Sequence, residues 1–113
     1  MCTQQEALSI LRQAAILCGP VYCDRLRAAY LYGSYARGDF HDASDVDILL
    51  TADMPLDEIS RRRNELAHIS SELSLAHDVT VSLTVKPHDQ FERFGSASPY
   101  YRNVRTEGIR YDG

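Results

Sequence analysis

Apolar positions along the chain recur with two different periods, and each change of period marks a new element. Between Thr3 and Cys18 the residues Ala7, Leu8, Leu11, Ala14, Ala15 and Cys18 fall at steps of three and four. With Thr3 and Glu6 placed as a capping box, this predicts an amphipathic helix. Gly19-Pro20 predicts its stop, since glycine suits a C-cap and proline cannot extend the hydrogen-bond ladder. Ala28 to Tyr32 reads as a short buried strand, and Val46 to Thr51, rich in Val, Ile and Leu, as a second. Helical spacing returns with Leu56, Ile59, Leu66, Ile69 and Leu73, which predicts one helix from Leu56 to Leu73. From Asp78 to Lys86 the pattern alternates strictly. Asp78, Thr80, Ser82 and Thr84 share one face and Val79, Val81, Leu83 and Val85 the other, so a half-buried third strand with a polar face is expected. Pro87 to Phe94 and Pro99 to Glu107 read as helices, and Ile109 to Tyr111 as a closing edge strand.

Composition narrows the picture. At 113 residues the chain can build one hydrophobic core, so residues 1–113 are expected to form a single domain. A 44% hydrophobic and 25% charged make-up argues against disorder. With 12 Lys and Arg against 16 Asp and Glu, the net charge of -4 discourages a broad hold on a nucleic-acid backbone and favours a basic partner. No apolar run is long enough to span a membrane, and Met1 to Pro20 lacks the basic start of a signal peptide, so a cytoplasmic location is expected. Cys2, Cys18 and Cys23 are odd in number, which makes reduced thiols the default. Cys18 and Cys23 have no second Cys/His pair to complete a zinc site, and His41, His68, His77 and His88 show no metal-ligand spacing. The run Arg61-Arg62-Arg63 reads as a solvated helix face and receives no role.

The candidate chemistry lies between Leu31 and Leu50. There an apolar run ends in Gly33-Ser34, about ten polar and turn-forming residues follow, and Asp45-Val46-Asp47 leads into the next strand. Residues i and i+2 of an extended segment point the same way, so both carboxylates share a side about 7 Å apart along the chain. Such a pair can hold a divalent cation; magnesium takes a few carboxylates together with phosphate oxygens and waters. A third carboxylate on a neighbouring strand would complete the site. Asp78 is the candidate, on the expectation that it opens the polar face of the third strand beside Asp45 and Asp47; the alternative is that it caps the strand entrance. Gly33-Ser34 offers a close backbone approach, free amides and a hydroxyl suited to phosphate oxygens, or simply a turn and an N-cap. Arg37 either contacts a phosphate or braces the loop.

Gly33-Ser34, ten intervening residues and Asp45-Val46-Asp47 resemble the nucleotidyltransferase signature of the DNA polymerase beta superfamily. The form Gly-Ser-Tyr-Ala-Arg-Gly, the Ser-Asp-Val-Asp strand, the short chain and the closing stretch Ser98 to Ile109 look most like minimal nucleotidyltransferases, the MNT antitoxins paired with HEPN toxins. The resemblance implies an α+β fold with a small mixed β-sheet flanked by helices. It implies Gly33, Ser34 and Arg37 at the nucleotide, and Asp45, Asp47 and Asp78 as catalytic, Mg2+-binding carboxylates. It also implies an activity: transfer of AMP from ATP to a tyrosine of a HEPN-type ribonuclease toxin, with toxin and antitoxin forming a hetero-oligomer. One departure is visible, because many relatives place the third acid inside a Val-Asp-Leu strand, whereas Asp78 precedes Val79-Thr80-Val81.

Two other readings compete. An acidic chain could neutralise a basic toxin by occlusion alone, with Tyr100 and Tyr101 as contacts. A small-molecule nucleotidyltransferase, of the kind that modifies aminoglycosides, generally needs an acceptor-binding domain for which 113 residues leave little room.

Overall fold

Thr3 does cap the first helix. Its hydroxyl accepts the Glu6 amide at 3.1 Å, and α1 runs Gln4–Val21 with Ala7, Ile10, Leu11, Ala14 and Cys18 buried. The computed structural model describes residues 2–111. The expected stop at Gly19-Pro20 is corrected: both residues lie inside the last turn of α1. A proline so near the end removes one backbone donor, and the Tyr22 amide still reaches the carbonyls of Cys18 and Gly19 at 3.2 Å. The final turn is also held from outside. Arg62 Nε donates to the Val21 carbonyl and Nη1 to the Glu58 carbonyl, each at 2.8 Å.

That contact accompanies a second correction. The stretch expected as one helix from Leu56 to Leu73 is two: α3, Leu56–Ser60, and α4, Arg63–His77. Arg62 leaves helical geometry (φ -101°, ψ 12°), and its side chain turns to the end of α1. Arg62 is therefore a tertiary cap, not part of a solvated face.

The strands are β1 (Leu26–Tyr32), β2 (Val46–Ala52), β3 (Val81–Pro87) and β4 (Ile109–Arg110), in the order β3-β2-β1-β4. β1 is antiparallel to β2 and to β4, whereas β2 and β3 are parallel. The mixed sheet expected for an α+β fold is present. The remaining helices are the single turn α2 (Ser34–Arg37), α5 (His88–Phe94) and α6 (Pro99–Glu107).

Alternation within β2 explains its unbroken apolar run. Val46, Ile48, Leu50 and Ala52 pack with residues of α1 and α4, while Leu49 packs on the other face with Phe91, Tyr101 and Val104 from α5 and α6. A strand covered on both faces reads as continuous hydrophobe, and each such leucine or isoleucine contributes about 2–3 kcal/mol by burial. Tyr30 and Tyr32 of β1 extend the second cluster toward the mouth of the sheet. Among the described residues, no helix is long and apolar enough to cross a membrane.

The first cluster carries one unpaid polar atom. The Tyr22 hydroxyl is buried with no hydrogen-bond partner among the described residues, and burial pushes its pKa up to about 12. Tyr22→Phe removes that oxygen and keeps the ring, so thermal unfolding should show stability unchanged or raised by up to about 1 kcal/mol. A clear drop in melting temperature would mean that the hydroxyl has a partner in solution.

Candidate active site

β1 delivers the chain to Gly33, whose backbone (φ 78°, ψ -157°) lies where residues with a Cβ rarely go. The turn α2 follows, and Gly38 in the left-handed region ends it by donating to the Ser34 carbonyl at 2.9 Å. Gly33 is the N-cap and Ser34 the first helical residue; no side-chain cap is made, so the expectation that Ser34 caps this helix is corrected by one position. A turn this short leaves its leading amides without carbonyls four residues back, and they remain available at the end of β1. Tyr35 anchors the turn from beneath. It is buried, its ring stacks on Phe40 at 4.3 Å, and its carbonyl accepts Gln4 Nε2 at 2.9 Å.

The connection from Gly38 is folded around His41. Its amide donates to Ser44 Oγ at 2.9 Å, and its Nδ1 accepts the Ala43 amide at 3.2 Å. This turn sets Asp45 immediately ahead of β2, where the Val46 amide donates to the Thr80 carbonyl at 2.9 Å. Asp47 sits one step into β2, paired across β1 with Tyr32.

The decisive contact is between Gly33 and Asp47. A Cβ on Gly33 would lie 2.6 Å from Asp47 Oδ2, so the carboxylate occupies the space that a side chain there would fill. The same crowding has an electrostatic result. Burial, then the negative charge of Asp45, raises the pKa of Asp47, while Arg37 partly offsets them. Two carboxylates held together, one of them partly desolvated, form a donor set suited to a hard divalent cation, whose charge would relieve both penalties.

Arg37, on the exposed side of the turn, is engaged by carboxylates. Its Nε lies 3.2 Å from Asp39 Oδ2, and its Nη1 lies 3.4 Å from Glu107 Oε2 at the end of α6. It braces the loop to α6 in this state, and its charge is felt at Asp47.

Asp78 lies elsewhere than expected. β3 begins at Val81, and Asp78 is the C-cap of α4 in the left-handed region (φ 51°, ψ 46°), its amide donating to the Ser74 carbonyl. Alternation carried the strand reading three residues too far back. An aspartate tolerates the left-handed region that ends a helix better than most residues, so the helix claims it. Asp78 lines a cavity of about 650 Å³ with Cys2, Tyr35, Asp42 and Asp45, a cavity that Asp47 does not line. Among the described residues no three His, Cys, Asp or Glu side chains are grouped to hold a metal ion.

Tyr32, which pairs with Asp47 across the sheet, meets Tyr100 of α6, a residue expected from the sequence only as a surface contact. Tyr32 and Tyr100 stand edge to face with centroids 5.6 Å apart, and Tyr100 donates its hydroxyl to that of Tyr32 at 3.0 Å. Burial and these hydroxyl contacts push the Tyr100 pKa up. Their separation of 68 residues hides the pairing from any local pattern.

Residues 21–112 match the family described as Nucleotidyltransferase domain. The chain belongs to that family. This nucleotidyltransferase is 32% identical over 87 residues to "Putative protein adenylyltransferase MJ0604" of Methanocaldococcus jannaschii, covering 77% of this chain and 79% of that protein. A second protein of that organism, with the same description and the designation MJ0141, is 32% identical over 98 residues, covering 80% of this chain and 96% of the relative. In solved structures, a chain of a mutant toxin–antitoxin MntA-HpeT gives a TM-score of 0.56 at 28% identity over 100% of this chain and 74% of that one. A chain of a toxin–antitoxin with AMP-PNP gives the same score and identity over 95% and 70%. The likeness to MNT antitoxins read from Gly33 to Asp47 thus extends to the whole architecture, and the nucleotidyltransferase uses a nucleotide as substrate.

Proposed function

We propose that this nucleotidyltransferase transfers AMP from ATP to a tyrosine of a HEPN-type toxin, and so acts as the antitoxin of a cytoplasmic hetero-oligomeric pair. The observation that carries the reading is the Asp47 carboxylate lodged in the space left by Gly33, with Asp45 two residues before it. The likeness to a toxin–antitoxin with AMP-PNP supports both the nucleotide and the kind of partner.

Each residue then has a task. The amides at Gly33 and Ser34, with the Ser34 hydroxyl, receive phosphate oxygens where β1 turns into α2. Asp45 and Asp47 hold Mg2+, which fits a donor set of two adjacent carboxylates and, when bound, supplies charge neutralisation for phosphoryl chemistry. Arg37 exchanges a carboxylate partner for a nucleotide phosphate, a step its exposure permits. β2 fixes Asp47, and the turn around His41 sets Asp45 just ahead of that strand, so much of the positioning is done before substrate arrives.

Incubating the protein with labelled ATP and the toxin encoded beside it should place label on the toxin, with a mass increase of whole AMP units on a tyrosine. Neutralisation of the toxin with no change in its mass would replace this reading with occlusion by binding. Label on a small molecule but not on the toxin would point to a different acceptor class.

A further inference from the structure

On the sheet face that carries Asp47, each neighbouring strand offers one directly paired position. The antiparallel register with β1 supplies Tyr32, and the parallel register with β3 supplies Ser82. Neither is an acid. The next β3 residue on that face, Thr84, is also a hydroxyl; it pairs with Leu49. Asp78, the last acid before β3, caps α4 and lines a cavity that Asp45 also lines and Asp47 does not.

We infer that the donor set is Asp45, Asp47 and the Ser82 hydroxyl, so that the protein by itself holds a single divalent cation and any second cation arrives on the triphosphate. The inference rests on the proposed function and adds to it the number and source of the cations. Its physical basis is charge. Two carboxylates balance one divalent ion, whereas a serine hydroxyl adds an oxygen without charge and binds a hard cation far more weakly than a carboxylate would. A nucleoside triphosphate carries enough negative charge to bring a second cation with it. The site is therefore assembled in part by its own substrate.

Manganese binding, followed by electron paramagnetic resonance with and without a non-hydrolysable ATP analogue, tests this. The wild-type protein should bind one Mn2+ per chain without nucleotide and a second only with the analogue. Ser82→Asp should gain the second ion without nucleotide, or bind manganese about tenfold more tightly. Ser82→Ala removes the oxygen donor and should bind manganese more weakly than the wild type, whereas Asp78→Asn, which keeps a side chain tolerant of the left-handed cap, should match it. Two Mn2+ bound to the wild type without nucleotide, loss of an ion in Asp78→Asn, or an unchanged manganese affinity in Ser82→Ala would each overturn the inference. Should Ser82→Asp fail to fold, the wild-type count and the Asp78→Asn result still decide. A wild type that binds no cation with or without the analogue overturns the inference together with the function beneath it.

Discussion

If the pair holds the cation as proposed, changing Asp45 and Asp47 together to asparagine should lower AMP transfer by about a thousandfold or more, because the cation's contribution is several kcal/mol. The folded protein should not suffer. Asp47 is partly buried and faces Asp45, and both effects raise its pKa, so its carboxylate is disfavoured in the native state relative to the unfolded chain. In the window just above the ordinary aspartate value, the native state then binds more protons than the unfolded one, and stability falls as pH rises through it. Asp47→Asn removes that cost at neutral pH. Its melting temperature should exceed that of the wild type at pH 7 and converge with it toward pH 4. Thermal melts across this range, without divalent cations, read the sign directly, and a melting temperature lowered at pH 7 would contradict it. Stability gained where activity is lost is the mark of a charge kept for function.

Gly33→Ala should have the second largest effect, for two separable reasons. The backbone at φ 78° resists a Cβ, which costs about 1–3 kcal/mol wherever the fold enforces it. The new carbon would also lie 2.6 Å from Asp47 Oδ2, so the carboxylate or the turn must move. A displacement near 1 Å at a reacting centre costs about a hundredfold in rate, so activity should fall by at least that amount. A double-mutant cycle separates the parts. With Asp47→Ala as background the steric component disappears and the backbone component remains, so Gly33→Ala should destabilise less there, by about 1 kcal/mol. An unchanged penalty would assign the whole effect to backbone strain.

Several elements could be read in the sequence because their causes are local. Thr3 with Glu6 fixes the start of α1, and β2 shows itself as Val46 to Thr51 because burial on both faces demands unbroken hydrophobes. Gly33-Ser34 and Asp45-Val46-Asp47 carry their chemistry in a spacing that a sharp turn and a strand start require. The failures share one origin, competition settled at long range. Leu56 to Leu73 has helical spacing throughout, yet Arg62 leaves the helix to bind the Val21 carbonyl 41 residues away. The Gly19-Pro20 stop is delayed by the same guanidinium. Asp78 fits the strand alternation as well as Thr80 does, and the choice fell to the end of α4.

The sequence by itself determined the four strands, the helices apart from the break at Arg62, and the glycine–serine turn followed by two aspartates, since period, capping and turn chemistry act over a few residues. Only the tertiary structure decided which residues stand beside Asp47. Strand register is a property of two strands, and the parallel pairing of β2 with β3 sets Ser82 where the alternation alone allowed Asp78 to be expected. The close fit of Asp47 against Gly33 is likewise invisible along the chain, because it joins the end of one strand to the start of the next through the sheet.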